Sequence, residues 1–166
     1  MIFDAVETAY TVVNANFDTK LAALVAAKGV SGTLAGAKKF KRQNAETYVE
    51  LNATIRDGTE AGLGVYGLQA VTQAKSQTQR YTDTTVGADY YCRGTDPAVL
   101  AKQAELAAEA LLGCIDAMWP TAEGGAGEGD KSISITMSAG YEETQTPKYE
   151  HRAVVTFTLT DRDTGL

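Results

Sequence analysis

The stretch VGADYYCRGTDPAVLAKQAELAAEALLGCIDAMW, residues 86–119, changes its apolar period from two to about 3.6 within one short turn. Val86, Ala88, Tyr90 and Cys92 share one side of a strand predicted over 85–93. Gly94-Thr95-Asp96-Pro97 then opens a helix: Asp96 suits the N-cap, and Pro97 suits the first helical position, where its missing N–H costs nothing. Leu100, Ala104, Ala107, Leu111, Cys114, Ile115 and Met118 form the predicted buried stripe. Lys102, Glu105, Glu109 and Asp116 keep to the wet side, and Pro120 stops the helix after Trp119.

Toward the C-terminus, residues 121–130 carry four glycines and three acids and predict a mobile loop. Two alternating strands follow, one with Ile133, Ile135, Met137 and Ala139 on a face, the other with Ala153, Val155, Phe157 and Leu159. Residues 140–148 between them suit an open hairpin. Toward the N-terminus, Phe3, Val6, Tyr10 and Val13 recur at helical steps. The period resumes at Leu21, Leu24 and Val25 after an expected break at Asn14-Ala15-Asn16. Residues 29–45 read as a loop, and 45–56 alternates as a half-buried strand ended by Asp57-Gly58.

Residues 72–80 are polar on both faces, so the monomer's own core gives them no reason to be extended. They are expected to form a protruding hairpin or to pair with a neighbouring chain. Thr72, Lys75, Gln77, Gln79 and Arg80 are the subunit-interface candidates. The order of elements predicts an α+β fold: a mainly antiparallel sheet with two or three helices on one face and a protruding hairpin. A single domain is expected over 1–166, with 29–45, 57–84 and 121–130 as insertions.

Net charge is −6 and unevenly spread. Residues 1–45 hold six Lys/Arg against three acids, whereas 46–130 hold five against thirteen. A basic face fit for nucleic acid is not seen. The one basic cluster, Lys38, Lys39, Lys41 and Arg42, is either a solvated loop or a contact for an acidic partner. No apolar run approaches a membrane span, and the start, Met1-Ile2-Phe3-Asp4, lacks the pattern of a signal peptide, so a cytoplasmic protein is expected. Cys92 and Cys114 lack metal-ligand spacing and read as two buried thiols, with a disulfide as the alternative.

Catalytic chemistry is hard to assemble from these residues. His151 is the one histidine, and no G-x-S-x-G elbow accompanies it. The neighbours Glu142-Glu143 would face opposite sides of a strand, and Asp161 with Asp163 reads as a solvated pair. Gly62-Leu63-Gly64-Val65-Tyr66-Gly67 matches G-x-G-x-x-G, but the residues after it are strand-like instead of opening the helix that would hold a phosphate. No catalytic residue, cofactor or metal is assigned, and the chain is expected not to be an enzyme.

Residues 86–97, the helix after them, Ser132–Tyr141 and Tyr149–Thr160 together resemble the second half of tail terminator proteins of long-tailed, lambda-like phages. The opening helix and early alternating strand also fit that family's plan. The resemblance implies a hexameric ring that caps the tail tube, stops its polymerisation and meets the head–tail connector protein. Its partners would be further copies of the chain, the tail tube protein and the connector. Double-stranded DNA would pass through the lumen without specific binding, and the ring would be assembled in the host cytoplasm and reside in the virion. The alternative is a neighbouring connector, stopper or neck protein of the same fold. A host adaptor module and a small hydrolase working through carboxylates alone are the rivals from other classes.

Overall fold

The computed structural model describes residues 2–28, 38–42, 61–74, 80–118, 133–142 and 148–163. Its elements are α1 (Ile2–Lys28), β1 (Lys38–Arg42), β2 (Ala61–Ala74), β3 (Arg80–Gly94), α2 (Pro97–Met118), β4 (Ile133–Glu142) and β5 (Lys148–Asp163). The sheet runs β1-β2-β3-β5-β4; β2, β3, β5 and β4 are antiparallel in turn, and β1 lies parallel to β2. The protein is therefore α+β, with its two described helices packed on one face.

The centre of the sheet is built from alternate residues. Leu63 and Val65 of β2, Val86, Ala88 and Tyr90 of β3, and Ala153, Val155 and Phe157 of β5 are buried and face the helices. Every member of the expected α2 stripe is buried, and the four charged residues assigned to its wet side are exposed. The Asp96 carboxylate accepts hydrogen bonds from the Ala98 and Val99 N–H groups at 3.1 and 3.3 Å, satisfying two of the helix's unpaired donors.

Two expectations are corrected. The first helix is continuous through Asn14-Ala15-Asn16. The Asn16 side-chain amide donates to the Val12 carbonyl at 2.8 Å, which accommodates the polar residue within the helix. The stripe Val6, Ala9, Val13, Phe17 and Leu21 runs unbroken across the site, and Phe17 packs on Tyr90 with ring centroids 5.8 Å apart. Residues 38–42, expected to be loop, form β1 in register with Gly62–Tyr66. The expected strand 45–56 and the loop 121–130 lie outside the described residues.

The protruding hairpin expected at 72–80 is not confirmed, and residues 75–79 lie outside the described residues. β2 and β3 form a hairpin paired from Ala61–Cys92 to Ala74–Arg80, but β5 follows β3 to the same end, pairing Arg80 with Asp163. This end of the sheet is thus at least three strands wide. Among the residues whose burial is described there, Thr84 and Leu159 are the last buried ones, while Leu68–Gln73 are all exposed. A bulge lets Gly67 pair with Val86 and Gln69 with Thr85, leaving Leu68 as the extra residue. It turns Ala70 and Thr72 to the helix side and Gln69, Val71 and Gln73 to the opposite side.

Gly87 pairs with Tyr66, whose ring covers it; a Cβ at Gly87 would lie 2.8 Å from the Tyr66 Cζ. Gly87→Val should therefore lower the unfolding free energy by about 1–3 kcal/mol, as overpacking does. Chemical denaturation measures this, and Tyr66→Ala in the same chain should return part of the loss. Equal losses in the single and double variants would show that the ring is not the obstacle.

Candidate functional site: the open edges of the sheet

Strand β4 pairs with β5 on one side only among the described residues. From Ser134 to Gly140 every residue of it is exposed. Ile135 and Met137 point to the helix side yet remain 44% exposed each. At the other side of the sheet, β1 pairs with Gly62–Tyr66 alone, so no described strand flanks β2 beyond that point. There Leu68 and Val71 are 40% and 42% exposed. Neither edge carries a charge or a proline between Ile133 and Tyr141 or between Leu68 and Ala74. Proteins that keep sheet edges unpaired usually place such residues on them.

The face away from the helices holds a buried ion network. Asp89, fully buried, lies 3.2 Å from the Arg152 Nε, and the Arg152 guanidinium sits 5.3 Å from the centroid of the buried Tyr91 ring. Arg93 and Glu150, paired across β3 and β5, approach to 2.9 Å. Toward β4 the same face becomes hydroxyl-rich, with Ser134 and Thr156 hydrogen-bonded at 2.6 Å.

Two grooves flank β4 where its side chains are small. One of about 180 Å³ on the ion-network face is lined by Tyr91, Ser138, Ala139, Gly140, Glu150 and Arg152. The other, about 250 Å³ on the helix side, is lined by Ala101, Glu105, Met137, Ser138, Ala139 and His151.

Of the interface candidates, Thr72 lies on β2 with its hydroxyl 2.9 Å from that of Thr82, and Arg80 begins β3. Lys75, Gln77 and Gln79 lie outside the described residues. Lys38, Lys39, Lys41 and Arg42 are strand residues of β1. His151 is half-buried on β5 between Cys92 and Ala139, where its backbone carbonyl is 3.5 Å from the Cys92 thiol. Gly62–Gly67 falls inside β2, so no helix follows it. Among the described residues no three His, Cys, Asp or Glu gather as metal ligands, and no helix is long and apolar enough to cross a membrane. Asp89 and Arg152 were missed in the sequence, although a carboxylate amid Val-Gly-Ala-Asp-Tyr-Tyr was a signal for a partner of opposite charge.

Cys92 and Cys114 are free and buried. Burial pushes the Cys92 thiol up to about 12 and the Cys114 thiol up to about 11. Both are raised from 9.0, so this contribution to stability is complete below about pH 9 and is lost as pH climbs through 11 to 12. An alkylating reagent at pH 8 should spare both thiols in the native protein and modify both after denaturation. Equal rates in the two states would contradict the burial.

No family model matches the chain, and no curated protein is significantly similar to it.

Proposed function

We propose that the chain is a structural ring subunit, the tail terminator of a long-tailed bacteriophage. Six copies would cap the tail tube, end its growth and meet the head connector. One observation carries the reading: among the described residues no strand flanks β4 at one side of the sheet or, at the other, the Leu68–Gln73 part of β2 beyond the basic β1, and both Ser134–Gly140 and Leu68–Gln73 are exposed and uncharged. A monomer with such edges is prone to add strands, and a head-to-tail ring satisfies both edges in every copy. The resemblance of residues 86–160 to tail terminators supplies the biological setting, and the overall charge of −6 suits a channel along which DNA slides without sticking.

The purified chain should form six-fold particles, or approach them as concentration rises, in mass measurements. Phage lacking it should make tails that overgrow or fail to join heads. Gln77→Pro should leave circular dichroism unchanged while abolishing the particles. Normal tails without the chain would overturn the proposal, and head-joining failure with tails of correct length would favour the neighbouring connector instead.

A further inference from the structure

We infer that β4 is a strand-addition site, and that its occupant is the Leu68–Ala74 edge of β2 in a second copy of the chain. The inference rests on the ring reading and specifies its contact.

Strand addition joins two edges by backbone hydrogen bonds and sends alternate side chains of the incoming strand to opposite faces. The grooves on the two sides of β4 are placed to receive them. Their chemistry differs. On the ion-network face the groove presents the Glu150 carboxylate and the Arg152 guanidinium, one charge of each sign. A lysine or an aspartate entering there meets attraction and repulsion together. A neutral dipolar group meets attraction from both, accepting from the guanidinium and donating to the carboxylate.

The β2 edge supplies such groups: its bulge turns Gln69 and Gln73 to that same face. On the helix side Met137, Ala101 and Ala139 line the groove together with Glu105, Ser138 and His151, and β2 brings the small Ala70 and Thr72. The match is thus amide to paired charges on one face and small, uncharged side chains to a mixed groove on the other. No residue from Leu68 to Ala74 would carry a charge into either groove.

Direction supports the same occupant. In the order β2-β3-β5-β4 every neighbouring pair is antiparallel, so β2 and β4 run in opposite directions. Antiparallel pairing of β4 with the next copy's β2 therefore keeps both copies facing the same way, as a head-to-tail ring requires. Two β4 strands pairing with each other would instead make a closed two-fold dimer.

The test uses the full chain. Thr136→Cys on β4 and, separately, Gln69→Cys, Val71→Cys and Gln73→Cys on β2 all place thiols on the face away from the helices. Cys92 and Cys114 are buried and should stay silent. Mixing the Thr136→Cys chain with each β2 variant under mild oxidation should give a linked dimer in at least one mixture, at more than tenfold the yield of either chain alone. Val71→Lys, with an unchanged circular dichroism spectrum, should weaken assembly at least tenfold. Self-linking of the Thr136→Cys chain would overturn the inference in favour of a β4–β4 dimer. Six-fold particles without cross-links, insensitive to Val71→Lys, would overturn it while leaving the ring standing. A chain monomeric at every concentration would overturn both.

Discussion

Arg152→Met should lower the unfolding free energy by about 3 kcal/mol, at the lower end of what breaking a buried ion pair costs. Asp89 is fully buried, and the substitution removes the guanidinium 3.2 Å away while leaving the carboxylate in place. Methionine preserves much of the side-chain volume, so the loss reports charge more than packing. The lower end applies because Arg152 keeps 18% of its side chain exposed and gives up only part of its hydration on folding. A second variant separates the causes. Asp89→Asn together with Arg152→Met should lose clearly less than the two single losses added, since the double variant removes both charges of the pair at once. Urea denaturation of the four proteins measures the cycle. Strict additivity would show that the pair is incidental and that Asp89 is held by other groups.

Leu111→Ala is the second large effect, about 3 kcal/mol within the ~2–5 kcal/mol range for a buried leucine. Leu111 is fully buried at the middle of the α2 stripe, in the core cluster that joins both helices to the sheet. A void there has helices on one side and strands on the other, so neither layer can collapse into it freely. The thermal midpoint should fall by several degrees, and a loss under about 0.5 kcal/mol would mean that the site relaxes completely.

The helix α2 was legible because every local signal agreed: cap, first-turn proline, apolar period and terminating proline all fell in one window. The strands β3 and β5 were legible through alternation, which the pleat imposes on any half-buried strand. What could not be read was set by partners distant in sequence. Lys38–Arg42 have no apolar alternation and become a strand only because β2 lies alongside. Phe17 is hidden by the expected break, which interrupts the register that carries Val13 on to Leu21. The β4 alternation is plain in the sequence, but the exposure of its apolar face is not, because exposure depends on what packs over the strand in three dimensions. The candidate site suffered most. Thr72 was placed near it, yet the exposed Leu68 and Val71 and the Glu150–Arg152 groove arise from a bulge and from cross-strand pairing, which no single window displays.

The pairing of β3 with β5 also sets a clock. Strand β3 can close on β2 as soon as both have been made, since β2 ends at Ala74 and β3 begins at Arg80. Its other edge must wait for β5, roughly 50 residues later. At the usual pace of synthesis, about 5–20 residues per second, that wait is about 3–10 seconds. Throughout it the middle strand of the future sheet stands at the ribosome with one ladder of hydrogen bonds unmade, beside Val86 and Tyr90. Many ribosomes translating one message would hold many such strands within reach of each other. The yield of folded chain should therefore rise when translation of residues 95–147 is faster, or when a holding chaperone shields the nascent hairpin, with no change in the stability of the finished protein.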